Sequence, residues 1–125
     1  MAKRILIIDD EDDIREVAQL TLEAVGGFEV LTAESGSEGI KKAETEQPDA
    51  ILLDVMMPEM DGITTFKQLQ ANSLTNNIPV ILLTAKVQAS DQRRFAELGI
   101  IGMVPKPFDP MTLTDQVAEV LGWQY

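Results

Sequence analysis

A regular alternation of two kinds of segment constrains the fold of this chain more than any other feature. Five short runs are rich in β-branched and leucine side chains, and each is followed by a stretch whose apolar residues recur at helical spacing. Strands without a polar face are buried on both sides, which is typical of a parallel sheet between two layers of helices. The predicted strands span residues 3–8, 28–32, 49–53, 78–83 and 100–104.

The predicted helices follow these strands, at residues 12–25, 35–46, 63–71, 90–98 and 111–121. Glycine or proline ends several of them: Gly26 and Gly27 follow the first, Pro48 the second and Gly99 the fourth. In the first helix, four apolar residues show the helical spacing: Ile14, Val17, Leu20 and Ala24.

The length of the chain distinguishes an open sheet from a barrel. Five strand–helix units in 125 residues predict one α/β domain over residues 1–125. Right-handed crossovers then give an open, doubly wound sheet, because a closed barrel needs roughly twice this length. No linker or internal repeat divides the chain. No output domain is expected, because the sequence ends just past the fifth predicted helix.

Composition excludes several classes of function. The net charge is -11, from 21 acidic and 10 basic residues, which disfavours binding to nucleic acid or to an anionic membrane. The chain has no His and no Cys, so disulfides, Cys/His zinc sites and His-based acid–base catalysis are excluded. No signal peptide or membrane-length apolar stretch is present, and we expect a cytoplasmic protein.

Reactive side chains gather where the predicted strands end. Asp9 and Asp10 end the first strand, and Asp54 ends the third. Thr84 ends the fourth strand, and Lys106 ends the fifth. In an open parallel sheet, ligands bind beyond the carboxyl ends of the strands. Three carboxylates that meet at this edge repel one another, so the cluster favours a bound cation.

Four motifs, in order and each at a strand end, carry a family resemblance. They are Asp9-Asp10, Asp54 with Met57-Pro58 and Asp61-Gly62, Leu83-Thr84-Ala85, and Lys106-Pro107-Phe108. Together they resemble the receiver domain of two-component response regulators, over the whole length of the chain. The resemblance implies a flavodoxin-like, five-stranded parallel sheet of order 2-1-3-4-5 with five helices.

The resemblance also implies a phosphoacceptor and a metal site. Asp54 resembles the carboxylate nucleophile that forms an acyl phosphate. Asp10, Asp54 and the backbone carbonyl of Met56 would hold Mg2+ or Mn2+, and Asp9 would act through a water molecule. The divalent cation would offset the repulsion between the two anions that must approach each other.

The remaining site residues would contact the phosphoryl group. Lys106 would bring a positive charge to its oxygens, and the Thr84 hydroxyl and the Ala85 N–H would donate hydrogen bonds. A sensor histidine kinase or a histidine phosphotransfer protein would supply the phosphate, because this chain has no His of its own. The chain would then act as a switch that binds a downstream target protein, not as a turnover enzyme.

Several details depart from the family pattern or refine it. Met103 stands where the family usually has Tyr or Phe, so the usual aromatic switch is not expected. Met56 and Lys86 flank the path of the attacking water and carry no carboxylate or amide, which predicts dephosphorylation without strong acceleration. A cis Lys106–Pro107 bond is predicted because it would aim the ammonium inward.

Two alternatives of other classes fit parts of the pattern. An aspartyl-phosphate phosphatase would share the Thr and the Lys, but such enzymes usually carry the nucleophile in an Asp-x-Asp motif after the first strand. A flavin-binding electron carrier would need a Thr/Ser/Gly-rich phosphate loop where this chain has five consecutive acids, residues 9–13. Met57 and Met60 are expected to pack under the loop and not to bind a cofactor.

Overall fold

A computed structural model describes residues 2–57, 60–84 and 89–124, with the side chains of residues 89–91 left out of the description. The described part forms a five-stranded parallel sheet with five helices. The strands are β1 (Arg4–Ile8), β2 (Glu29–Ala33), β3 (Ala50–Asp54), β4 (Val80–Thr84) and β5 (Gly102–Pro105). The helices are α1 (Asp12–Gly26), α2 (Gly36–Glu46), α3 (Gly62–Ala71), α4 (Ala89–Leu98) and α5 (Leu113–Leu121).

The strand order is β2-β1-β3-β4-β5, and all neighbouring strands run parallel, so the predicted fold class and strand order are confirmed. The chain moves outward from β1 to β2 and then crosses back to β3 on the other side of β1. This reversal places β1 beside β3, with Ile8 opposite Leu53 at their carboxyl ends. A doubly wound sheet has its binding crevice at such a reversal.

The strands are buried on both faces, and successive side chains contribute to different layers of the core. One layer packs strand residues such as Leu6 and Leu53 against Phe66 of α3 and Phe95 of α4. The other layer packs alternate strand residues, including Ile5, Ile7 and Leu52, against α1 and α5. This packing explains the apolar runs by which the strands were predicted.

Several of the apolar residues that predicted α1 are not among the residues that α1 buries. Leu20 is 60% exposed and Val17 is 39% exposed, whereas the helix buries Arg15, Ala18 and Leu22. An arginine can be buried here because its guanidinium finds polar partners within the fold. Helical spacing therefore predicted the existence of α1 correctly but not its orientation.

Loop and cap geometry brings the chain to the carboxyl edge of the sheet. The N-cap of α1 is Glu11, and it makes no side-chain capping bond, so neither Asp12 nor Asp13 acts as its cap. Asp61 caps α3 by accepting a 2.8 Å hydrogen bond from the Thr64 N–H. The sequence favours Ser90 or Asp91 as the N-cap of the fourth helix, but α4 begins at Ala89, and both side chains lie outside the described part of the chain. No helix among the described residues combines the length and apolar character that crossing a bilayer requires.

Candidate functional site

Three carboxylates meet at the carboxyl edge of β1 and β3. Asp9 follows β1 directly, Asp10 is the next residue, and Asp54 is the last residue of β3. One oxygen from each of the three lies within 4.8 Å of the others. Asp9 is fully buried and Asp54 is 2% exposed, whereas Asp10 is exposed. The cluster therefore has two buried members and one that faces solvent.

Among the described residues, Lys106 supplies the positive charge nearest to the buried carboxylates. Its Nζ lies 3.0 Å from Oδ2 of Asp9, 3.1 Å from Oδ1 of Asp54 and 3.7 Å from Oε1 of Glu11. The backbone positions it: the Lys106 N–H donates a 2.7 Å hydrogen bond to the carbonyl of Thr84, at the end of β4. The Lys106–Pro107 bond is cis, as predicted.

The environment of Asp54 disfavours its charged form. Burial raises the pKa of Asp54 to about 6, and the neighbouring charge of Asp9 acts in the same direction. Lys106 and the N–H of Met56, which donates a 3.2 Å hydrogen bond to Oδ1, offset only part of this effect. The second oxygen, Oδ2, is buried and has no hydrogen-bond partner among the described residues.

The pKa of Lys106 is displaced by the same cluster. Burial alone lowers the pKa of this ammonium, but hydrogen bonds and charge from Asp9, and then from Asp54, more than offset burial. The pKa of Lys106 therefore lies above its ordinary value, and the side chain is a permanent cation at neutral pH.

The backbone at the start of α3 packs closely against the backbone at the end of β3, next to Asp54. The Gly62 N–H donates a 2.9 Å hydrogen bond to the carbonyl of Val55. A Cβ at position 62 would lie 2.3 Å from the backbone oxygen of Asp54, a contact that real Cβ atoms do not make. Glycine therefore lets the start of α3 close onto the end of β3. Asp61-Gly62 entered the sequence analysis as part of a family motif, and this packing role of Gly62 was not predicted.

The other predicted site residues lie at the same edge of the sheet or outside the described chain. Thr84 is the last residue of β4, is 7% exposed and pairs with Pro105. Met56 is 76% exposed. A cavity of about 320 Å³ opens here, lined by Glu11, Ile14, Asp54, Met56, Lys106 and Pro107. Pro58, Ala85 and Lys86 lie outside the described residues, and their predicted roles stay predictions.

The donor set at this edge fits a divalent cation. All three clustered side chains offer carboxylate oxygens, the ligands that Mg2+ prefers. Oδ2 of Asp54 is a buried carboxylate oxygen that accepts no hydrogen bond from the described part of the chain. The only cation that the described structure places against the buried carboxylates is Lys106, a single charge for two aspartates. Met57 is 8% exposed and belongs to the core, as expected.

Sequence reasoning missed two residues next to the cluster. Glu11 approaches Lys106, and its N–H donates a 2.9 Å hydrogen bond to Oδ1 of Asp9. Arg15, one turn into α1, donates a 2.7 Å hydrogen bond to the backbone carbonyl of Asp9. A basic residue in the first turn of an acidic helix was the available signal, but its reach back to β1 is visible only in three dimensions.

Comparison with protein families and curated proteins supports this description. The family model of the response regulator receiver domain matches residues 5–118. The chain is 44% identical over 121 residues to the alkaline phosphatase synthesis transcriptional regulatory protein PhoP of Bacillus subtilis, covering 97% of this chain and 49% of PhoP. It is 38% identical to the phosphate regulon transcriptional regulatory protein PhoB of Escherichia coli, covering 97% and 52%. The chain thus spans about half the length of these relatives.

Solved structures show the same architecture. The chemotaxis response regulator CheY4 of Vibrio cholerae superposes with a TM-score of 0.88 at 32% identity, over 96% of this chain and 99% of that one. A putative response regulator from Chloroflexus aurantiacus superposes with a TM-score of 0.86 at 34% identity, over 98% and 99%.

Proposed function

Because this chain belongs to the response regulator receiver domain family, we propose that it is a signalling switch operated by phosphorylation of Asp54. Members of this family are signalling modules and not turnover enzymes, which separates the chain from the phosphatase alternative. The observation that carries the proposal is the state of Asp54. It is a buried strand-end carboxylate, one of its oxygens has no hydrogen-bond partner within residues 2–57, 60–84 and 89–124, and a lysine lies beside it.

The proposed reaction transfers a phosphoryl group from a phosphohistidine to this carboxylate. One oxygen of the Asp54 carboxylate would attack the phosphorus atom. The new O–P bond gives an acyl phosphate, while the P–N bond breaks and its electron pair leaves with the imidazole of the donor. At neutral pH Asp54 is ionised, since its pKa is about 6.

The surrounding residues would bind and neutralise the phosphoryl oxygens. Lys106 would turn from the two carboxylates toward the incoming group, which needs only a small movement because its Nζ already lies 3.1 Å from Asp54. Thr84 and the Ala85 N–H would donate hydrogen bonds. Asp10, Asp54 and the Met56 carbonyl would hold Mg2+ or Mn2+, with Asp9 acting through water. The bound ion would neutralise charge between the two approaching anions.

The output of the switch is proposed to leave through β4, β5 and the helices beside them. Phosphate on Asp54 would draw the Thr84 hydroxyl toward the site and bias the surface formed by α4, β5 and α5. Met103 lies on β5 and packs partly buried against the core. A flexible thioether has no hydroxyl to hold it in place, so we propose that Met103 couples only weakly to phosphorylation.

The partners follow from this chemistry. We propose a sensor histidine kinase or histidine phosphotransfer protein as the donor, a downstream protein as the target, and a cytoplasmic location. The names of PhoP and PhoB describe transcriptional regulators, and this chain matches about half of each. Its net charge of -11 is the basis for predicting that the chain itself does not bind nucleic acid or membrane.

Intact-mass measurement tests the proposal directly. Treatment with a small acyl-phosphate donor and Mg2+ should add one phosphoryl group, and excess chelator should prevent the addition. Asp54→Asn should add none. The matched control is Asp49→Asn, which changes an aspartate near the opposite end of the same strand and should be phosphorylated like the wild type. Undiminished phosphorylation of Asp54→Asn would refute the assignment of the acceptor.

A further inference from the structure

Arg15 is a buried charge that the proposed reaction does not use. Its side chain is 11% exposed, although it lies on α1, whose first turn is otherwise acidic. Nη1 donates a 2.7 Å hydrogen bond to the backbone carbonyl of Asp9. Nη2 contacts the carboxylate of Asp12 and lies 3.5 Å from Oε1 of Glu34. One guanidinium thus joins the end of β1, the first turn of α1 and the loop after β2.

These contacts fix the segment that presents Asp10. The Asp9 N–H donates a 3.1 Å hydrogen bond to the carbonyl of Ala33, which continues the pairing of β1 with β2. The Arg15 guanidinium then holds the carbonyl of the same residue. The Glu34 N–H donates a 2.7 Å hydrogen bond to the carboxylate of Glu38 in α2. The loop residue that Arg15 contacts is therefore itself fixed to α2. The peptide that leads from Asp9 into Asp10 is therefore held from both sides.

Lys106 contacts the side-chain oxygens of the carboxylate cluster, whereas Arg15 contacts only its backbone. Lys106 touches the side-chain oxygens of Asp9 and Asp54, so a divalent cation there has to compete with it. Among the described residues, Arg15 donates hydrogen bonds to the backbone carbonyl of Asp9 and to carboxylates outside the cluster. None of these bonds goes to a carboxylate of Asp9, Asp10 or Asp54. Arg15 therefore supports the geometry of the cluster without occupying its oxygens.

We propose that Arg15 is a positioning residue for the divalent cation. By holding the Asp9 carbonyl it sets the direction in which the chain presents Asp10 to Asp54. The inference rests on the proposed function, because it assumes that this cluster binds the ion. Outer partners that orient metal ligands typically contribute about 10- to 100-fold in affinity.

The sign of the effect separates positioning from simple electrostatics. If Arg15 acted only through its charge, its removal would make the cluster more negative and would tighten cation binding. If Arg15 positions the ligands, its removal weakens binding although the net charge becomes more negative. Arg15→Met removes the charge and the hydrogen bonds while keeping much of the buried volume.

The experiment measures Mn2+ affinity from the electron paramagnetic resonance signal of the free ion, with Mg2+ as competitor. We expect Arg15→Met to bind about 10-fold more weakly than wild type. Arg4→Met is the matched control, because Arg4 also holds a backbone carbonyl and a carboxylate, but at the amino end of the sheet. It changes the net charge equally and should keep wild-type affinity.

A second readout and a second variant keep the test decisive. In Arg15→Met, the Mg2+ concentration for half-maximal phosphorylation should rise, while the rate at saturating Mg2+ stays close to wild type. Arg15→Lys keeps the charge but cannot donate to the Asp9 carbonyl and to the flanking acids together, so it should bind severalfold more weakly. If Arg15→Met does not fold, the Mn2+ affinity of Arg15→Lys decides the question instead.

Each outcome bears on a different claim. Wild-type or tighter Mn2+ affinity in a folded Arg15→Met or Arg15→Lys would overturn the positioning role. An equal loss of affinity in Arg4→Met would also overturn it, because the loss would then reflect general destabilisation or net charge. A wild-type protein that binds neither Mn2+ nor Mg2+ would instead refute the proposed function.

Discussion

The charged side chains at the two ends of the sheet differ in burial and in how fully they are paired. At the amino end, the guanidinium of Arg4 lies 3.0 Å from Glu46 and 3.8 Å from Glu29, and the Arg4 N–H donates a 2.8 Å hydrogen bond to Asp49. These side chains are partly or fully exposed. At the carboxyl end, two buried aspartates share one lysine, and one buried oxygen of Asp54 has no partner among the described residues.

The difference shows which end is arranged for stability and which for chemistry. Exposed ion pairs cost little desolvation and contribute modestly to folding. Buried carboxylates with too few counter-charges cost folding free energy, and the raised pKa of Asp54 reflects that cost. Such strained sites persist where activity needs them. The carboxyl end therefore carries more buried negative charge than the one lysine described there offsets, and a bound cation would offset the rest.

The largest expected effect is on the rate of phosphorylation in Lys106→Met. Lys106 is the cation that the described structure places against the buried carboxylates, so the substitution removes the positive side chain proposed to bind the transferring phosphoryl group. By analogy with loss of one transition-state donor, the rate should fall by about 100-fold or more. A time course of intact mass measures this rate.

Lys42→Met is the matched control for Lys106→Met. Lys42 pairs with Glu38 one turn away on α2, at 3.4 Å, and its loss should leave the phosphorylation rate unchanged. If Lys106→Met reacts as fast as Lys42→Met, the proposed contrast between the two ends of the sheet loses its main support.

The next effect is a gain of stability in Asp54→Asn without divalent cations. The folded pKa is about 6 against an ordinary 3.8, so the unfolded chain ionises first as the pH rises. Wild-type stability should therefore fall between about pH 4 and pH 6 and stay lower above that window. At pH 7 the asparagine variant should be more stable by about 3 kcal/mol, and the gain should vanish below pH 4.

Urea unfolding of both proteins across this pH range measures the gain. Asp49→Asn sharpens the comparison, because it replaces the charged acceptor of the Arg4 N–H with a weaker, neutral one and should lower stability slightly instead. A wild type that is as stable as Asp54→Asn at pH 7 would contradict the view that this carboxylate is a destabilising charge.

The sequence predicted the features that repeat along the chain or end a strand. All five strands and all five helices were predicted correctly, because apolar runs indicate buried strands and helical spacing indicates helices. The strand order was implied by the family resemblance and is confirmed. The juxtaposition of Asp9, Asp10 and Asp54 followed from one rule, that parallel strands end at the same edge. Most boundaries moved by one or two residues, since the ends of elements depend on capping and neighbouring contacts.

The features that escaped prediction depend on contacts between distant backbone segments. Burial of Arg15 on α1 requires the Asp9 carbonyl to lie within its reach, and no spacing rule encodes that distance. The close approach of Gly62 to the Asp54 carbonyl is likewise a property of the folded loop. The exposed Val17 and Leu20 show the same limit, because helical periodicity does not choose which face packs on the sheet.

A smaller effect is expected for stability in Arg4→Met, at the amino end. The substitution removes two ion pairs with partly exposed partners and a 2.6 Å hydrogen bond to the Glu46 carbonyl. It should cost about 1 kcal/mol and leave the phosphorylation rate at wild-type level. Urea unfolding and intact mass measure the two quantities. A large loss of phosphorylation with intact folding would show that the two ends are coupled.

The smallest expected effect is on the lifetime of the phosphorylated form, in Met56→Asn. Met56 is 76% exposed at the mouth of the crevice, and its side chain can neither orient nor activate a water molecule. An asparagine amide there can hold the attacking water, so the decay rate should change severalfold while stability stays within about 0.5 kcal/mol. Loss of the added mass after removal of the donor measures the decay.

Met56→Leu, which changes shape without adding an amide, should decay like wild type. Arg4→Met should lower stability without changing the reaction, whereas Met56→Asn should change the reaction without changing stability. Equal decay in Met56→Asn and Met56→Leu would show that access of water is controlled elsewhere.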